Sequence, residues 1–171
     1  MKIILLGYMA SGKSTIGREL SKKLYMNFID LDNYISEKEK MSISEIFENK
    51  GEIYFRRIEN NYLKEILNSE EDFVLSLGGG TPCYANNMDV ILTSQAKSIY
   101  IKASIGTLVS RLLKEKSERP LVANFDDEEL AEFVAKHLFE RSFFYQQANY
   151  VLNTDNKDLQ EVITELRILL H

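Results

Sequence analysis

Gly7-Tyr8-Met9-Ala10-Ser11-Gly12-Lys13-Ser14, followed by Thr15, is the stretch that decides the fold. It spells G-x-x-x-x-G-K-[ST], the pattern of a phosphate-binding loop. Lys2-Ile3-Ile4-Leu5-Leu6 before it is a short apolar run of buried-strand type. Ile16 to Leu24 after it space their apolar groups as a helix does. Strand, glycine loop and helix in that order separate a P-loop from an ordinary glycine-containing turn.

The spelling follows from anion chemistry. Gly7 and Gly12 let the backbone turn tightly and aim its N–H groups at one point. The helix beginning near Lys13 directs its free N–H groups and positive dipole end there too. Ala10, Ser11, Gly12, Lys13, Ser14 and Thr15 are therefore predicted to cradle the phosphates of ATP. Lys13 adds a charge for the β- and γ-phosphates, and the Ser14 hydroxyl is a ligand for Mg²⁺.

Composition narrows the setting. A length of 171 residues predicts a single domain over 1–171. A net charge of −5 argues against a nucleic-acid partner, which selects for a basic face. No apolar run is long enough to span a bilayer, so no membrane partner is expected. The strand-like start leaves no room for a signal peptide. One cysteine, Cys83, rules out an internal disulfide and fits a reducing cytoplasm. Two histidines and one cysteine cannot make a zinc site of usual spacing. A cytoplasmic monomer is the expectation.

Moving outward, Asn27-Phe28-Ile29 reads as a second strand ending in Asp30-Leu31-Asp32. Side chains at i and i+2 of an extended segment point the same way, so both acids could converge on the mouth of the loop. Alternatively, Asp32 caps the short helix that follows it. Ser42 and Glu45 form a capping-box pattern, Gly51 is a plausible stop, and a longer helix runs from Glu52 to Leu67. Arg56 and Glu59, three apart, share a helical face. On spacing alone they read as a solvated, salt-bridged stripe. Phe73 to Leu77 is an apolar strand that runs into Gly78-Gly79-Gly80, either a flexible loop or bare backbone facing a ligand. Lys97 to Lys102 and Tyr150 to Leu152 are further strands, and Ser104 caps a helix through Leu113. The polar run Lys114 to Leu121 reads as a solvated loop or a mobile lid carrying Arg119. A long helix spans Asp126 to Gln147 with His137 on its core face, and a closing helix spans Leu159 to Leu170. The pattern predicts a P-loop NTPase fold: an α/β three-layer α/β/α sandwich around a five-stranded parallel sheet.

The full set resembles the shikimate kinase family. The matching pieces are the loop Gly7 to Gly17, Phe28 to Asp32, Ser44 to Phe47, Gly51-Glu52, Phe55 to Glu59, Ser76 to Gly80, Arg119-Pro120-Leu121, and Arg141 with Tyr145. The resemblance implies ATP-dependent phosphorylation of the 3-hydroxyl of shikimate, in the pathway to chorismate and the aromatic amino acids. It implies catalytic roles for Asp32, Lys13 and Arg119, with Asp32 orienting or deprotonating the hydroxyl. Arg56 and Arg141 would hold the substrate carboxylate, and Gly78, Gly79 and Gly80 would present N–H groups to the substrate. Glu59 would fix Arg56, while Phe47 and Phe55 would wall the ring. Ser14 and Asp30 would serve Mg²⁺. Arg111 and the Asn153 turn would flank adenine, and Arg119 would arrive on a lid of about 114–125. Helices within about 33–62 would form the substrate-binding region. Ala10 stands where the family often has glycine, which the loop accepts if that position avoids positive φ.

Chemistry alone leaves rivals. Gluconate is also a small polyhydroxy acid, whereas a nucleoside monophosphate would need a second phosphate site and a base pocket. A catalytically silent nucleotide switch would be favoured by loss of Asp32 or Arg119, and both are present.

Overall fold

The computed structural model describes residues 1–115 and 122–171. Arg119 and residues 116–121 of the expected lid lie outside the described residues.

Strand β1 (Lys2–Leu6) leads through the glycine loop into helix α1 (Lys13–Leu24). Strand β2 (Asn27–Asp30) is followed by α2 (Leu31–Glu39) and α3 (Ile43–Asn68). Then come β3 (Phe73–Ser76), a 3-10 turn at Thr81–Cys83, α4 (Asn87–Thr93), β4 (Lys97–Lys102) and α5 (Ile105–Lys114). Helix α6 (Asp127–Tyr145), β5 (Tyr150–Asn153) and α7 (Leu159–Leu170) close the chain. Among the described residues the sheet has five parallel strands in the order β2-β3-β1-β4-β5. None of the described helices is long and apolar enough to cross a membrane.

Central strand β1 explains why its sequence is apolar without alternation: both faces are covered. Ile3 and Leu5 pack with Ile16 and Leu20 of α1 and Val162 and Leu166 of α7. Ile4 and Leu6 face the opposite layer, with Ile58 and Leu63 of α3, Leu108 of α5 and Val134 of α6. The three layers bring the carboxyl ends of the strands to one rim. There Asp30 and Ser76 are register partners on β2 and β3.

Two local features differ from the sequence expectations, at Asp30 and at Ala10, and one between them agrees, at Gly51. Asp30, not Asp32, is the N-cap of α2: its side chain accepts the Asn33 N–H at 3.2 Å. Asp32 therefore sits in the first helical turn, and the two acids are not paired along an extended segment. The helix starts early because Asp30 satisfies an orphan N–H as soon as the strand ends. As its place in the sequence predicts, Gly51 interrupts the helical backbone. It bends α3, with φ 82° and ψ 172°, into two arms; the Ser42–Glu45 capping box opens the first. Ala10 does adopt positive φ, at 61°. A left-handed alanine costs about 1–2 kcal/mol, so the loop carries strain that its sequence did not announce. The Ala10 carbonyl accepts from Arg111 Nη1 at 3.1 Å, a contact that holds it in place.

Candidate active site

A cleft of about 520 Å³ opens over the glycine loop, lined by residues 9–16 together with Asp30, Asp32, Gly78 and Gly79. Lys13 is nearly buried and folds back on its own loop, donating to the Tyr8 carbonyl at 2.8 Å. Ser14 Oγ donates to Asp30 Oδ2 at 2.8 Å and lies 3.3 Å from Ser76 Oγ. These are hard oxygen donors at a helix N-terminus, the donor type that Mg²⁺ prefers when phosphates complete its shell. Thr15 and Arg111 also line the cleft. At its far end the structure brings Thr154, Lys157, Leu159 and Val162 to the wall. Asn153 is not among the lining residues; its Oδ1 accepts the Asp155 N–H at 2.9 Å and shapes the turn.

Beyond the glycines lies a second region with opposite construction. Arg56 Nη1 donates to Glu59 Oε1 at 2.9 Å. The other oxygen of Glu59 accepts from Thr81 Oγ1 at 2.8 Å, and Glu59 is 1% exposed. Far from a solvated stripe, this pair is an interior brace. Arg141 approaches from α6. A Cβ added to Gly80 would lie 3.0 Å from Arg56 Nη2 and 3.3 Å from Arg141 Nη2. A Cβ on Gly79 would lie 3.2 Å from Arg141 Nη1. Gly79 and Gly80 thus admit two guanidinium groups, and Gly78 admits the Asp32 carboxylate, so each of the three in a row has a close neighbour. Such a paired fork suits a carboxylate. Phe47 and Phe55 meet at a tilt of 36°, 4.6 Å between ring centres, and the Phe55 ring centre is 5.1 Å from Arg56 Cζ.

Asp32 joins the two regions. A Cβ on Gly78 would lie 3.1 Å from Asp32 Oδ1. Burial, and then the nearby negative charges of Asp30 and Glu59, push its carboxyl up to about 6; Lys13 and Arg56 pull in the other direction. A carboxyl tuned into that range is matched to exchanging a proton near neutral pH.

Several contributors were not given roles from sequence. Ser76 ends a strand beside Ser14, a position signalled only by a hydroxyl preceding the glycine run. Tyr145, fully buried, donates to the Gly79 carbonyl at 2.5 Å and so fixes the triple-glycine backbone. His137 is half-buried and shares a 3.0 Å hydrogen bond with Tyr8 OH. Burial, then the Arg141 charge, lower its affinity for a proton. Burial pushes the half-buried Cys83 thiol up to about 11, a value that keeps it an unreactive thiol at neutral pH.

With this geometry in view, the relatives are informative. The shikimate kinase family model matches residues 9–170. The chain belongs to the shikimate kinase family. It is 50% identical over 169 residues to the shikimate kinase of Flavobacterium johnsoniae, covering 99% of this chain and 98% of that one. Among solved structures it is similar to the shikimate kinase of Bacteroides thetaiotaomicron. The TM-score is 0.93 at 36% identity, covering 99% of this chain and 98% of the other. It is also similar to the shikimate kinase of Acinetobacter baumannii in complex with shikimate. There the TM-score is 0.86 at 27% identity, covering 99% and 92%.

Proposed function

We propose that the glycine-loop cleft binds ATP and that the two-arginine pocket beyond Gly78–Gly80 binds shikimate by its carboxylate. As a member of the shikimate kinase family, the protein is an ATP-dependent kinase that phosphorylates the 3-hydroxyl of shikimate. The observation that carries the residue assignment is the convergence of Arg56 and Arg141 on Gly80, two residues from Gly78, which faces Asp32.

In this reading, the loop N–H groups and Lys13 hold the β- and γ-phosphates, and Ser14 and Asp30 hold Mg²⁺. When bound, the ion supplies positive charge that offsets the phosphate oxygens. Arg111 and the Thr154 wall flank the nucleoside. Arg56 and Arg141 dock the acid end of shikimate, which fixes the ring and presents its 3-hydroxyl to Asp32. Asp32 orients that hydroxyl and accepts its proton as the oxygen attacks the γ-phosphorus and the bond to the bridging oxygen of ADP breaks. Phosphoryl transfer through a loose transition state needs positioning and charge neutralisation more than covalent chemistry. Arg119 would add charge at the γ-phosphate from the lid, an assignment drawn from the family resemblance alone. The protein is taken as a cytoplasmic monomer working on two small molecules.

A coupled ADP-release assay offering shikimate, gluconate and AMP separately tests the assignment. Release of ADP with shikimate alone is the expected result. Turnover with gluconate or AMP and none with shikimate would reverse it.

A further inference from the structure

Arg56 is restrained in its plane by Glu59, but a single hydrogen bond leaves the guanidinium free to pivot about that contact. Something must also hold its face. Tyr84 does: Arg56 Cζ lies over its ring, 3.9 Å from the ring centre, within cation–π range. The Arg56 side chain is only 17% exposed although its Nε has no hydrogen-bond partner among the described residues. Glu52 Oε1 stands 3.8 Å from that Nε, an ion pair without a hydrogen bond. A second ring, Phe55, has its centre 5.1 Å from the same Cζ, so Tyr84 is the nearer of two aromatic covers over this largely buried cation.

The backbone is bent at some cost to put the ring there. Ala85 and Asn86, directly after Tyr84, both take left-handed conformations, with φ 51° and 55°. Two such non-glycine residues in succession persist only where the surroundings enforce them. Asn60, one turn beyond Arg56 on α3, does the enforcing. Its Nδ2 donates to the Ala85 carbonyl at 3.1 Å and to Asn87 Oδ1 at 2.8 Å. Fully buried Asn87 in turn donates to the Thr81 carbonyl, and its N–H to the Tyr84 carbonyl. Helix α3 thus carries both the arginine and the asparagine that anchors the segment stacked on it. Outside lies a second cavity of about 600 Å³, walled by Arg56, Asn60, Tyr84 and Ala85. Without the ring, solvent in that cavity would reach the guanidinium face and screen its charge.

We propose that Tyr84 is a positioning residue for the substrate carboxylate: stacked on Arg56, it fixes the plane in which the guanidinium fork is presented across Gly80. Glu59 sets the direction of the fork and Tyr84 sets its tilt. The proposal rests on the assignment of Arg56 to the shikimate carboxylate.

Steady-state kinetics on the full chain test it, with Tyr84→Leu, Tyr84→Phe and each combined with Arg56→Ala. Leucine keeps apolar bulk and removes the π face. Tyr84→Leu is expected to raise KM for shikimate about tenfold, leaving KM for ATP and the thermal midpoint unchanged. Tyr84→Phe, which keeps the face, should restore most of that affinity. In the Arg56→Ala background, Tyr84→Leu should add no further loss, because the ring acts through the arginine. A shikimate KM within about twofold of the parent in Tyr84→Leu overturns the proposal. So does an equal loss in both backgrounds, or a parallel rise in KM for ATP. If Arg56→Ala itself leaves shikimate KM unchanged, the carboxylate assignment fails first, and the role of Tyr84 fails with it.

Discussion

Lys13 and Arg56 are both cations at the active site, yet they are held in different ways. Lys13 is folded onto the loop that carries it, donating to the carbonyl of Tyr8 only five residues back. Arg56 is gripped by Glu59 on its own helix, but its outer fork meets groups from β3's following loop and from α6. The phosphate cradle of the nucleotide half is thus a local object, written in one contiguous stretch, although other elements complete the cleft around it. The acid half exists only once three distant segments have packed together. A nucleotide cradle survives small changes elsewhere in the fold, whereas the acid pocket depends on every element that converges on Gly80.

The largest effect that would sharpen this contrast sits where the halves meet. Asp32→Asn keeps the shape and removes the base. Turnover should fall about a thousandfold while ATP affinity, measured by calorimetry, is retained. A near-normal rate would remove Asp32 from the chemistry. In the parent, kcat/KM for shikimate should fall about tenfold per pH unit below about 6, as Asp32 becomes protonated. The same residue strains the substrate-free fold. Its carboxyl is raised from 3.8 to about 6, so the ionised form is disfavoured in the folded state. That penalty is absent below the lower value and complete above the higher one. Asp32→Asn should therefore be more stable than the parent by about 1–3 kcal/mol at pH 8 and no more stable at pH 3.5.

A smaller effect separates the halves directly. Gly80→Ala would bring a methyl group to 3.0 Å from Arg56 Nη2 and 3.3 Å from Arg141 Nη2. Shikimate KM should rise about tenfold as the forks are pushed apart. KM for ATP should hold, and equal losses for both substrates would mean that the glycines serve the nucleotide as well. The smallest effect is confined to the loop. Ala10→Gly releases a left-handed alanine but adds freedom to the unfolded chain, so a net gain of about 0.5–1 kcal/mol is expected. Thermal unfolding reads it, with shikimate KM unchanged. A loss of stability would show that Ala10 is not strained.

What could be read from the sequence follows the same division. Gly7 to Ser14 is contiguous, so its pattern carried both the fold class and the phosphate site. The strands were legible because a parallel sheet covered on both faces leaves plain apolar runs at Ile3 to Leu6 and Phe73 to Leu77. Arg56 and Glu59 looked like a solvated stripe, since helical spacing cannot say whether a face meets water or Thr81 and Gly80. Only the family resemblance pointed inward. Asp30 was read as the partner of Asp32 on an extended chain because the strand pattern does not mark where capping takes over. Tyr84 carried no signal at all: its partner lies on another element, and the bend that aims it uses Ala85 and Asn86 rather than glycine.

The division itself is tested most directly by calorimetric titration of Arg56→Ala/Arg141→Ala with shikimate and, separately, with ATP and Mg²⁺. Shikimate binding should weaken by at least about a hundredfold, since two charged contacts are lost, while ATP affinity stays within about twofold of the parent. Equal weakening of both ligands, or retained shikimate binding, would contradict a carboxylate pocket built apart from the nucleotide cradle.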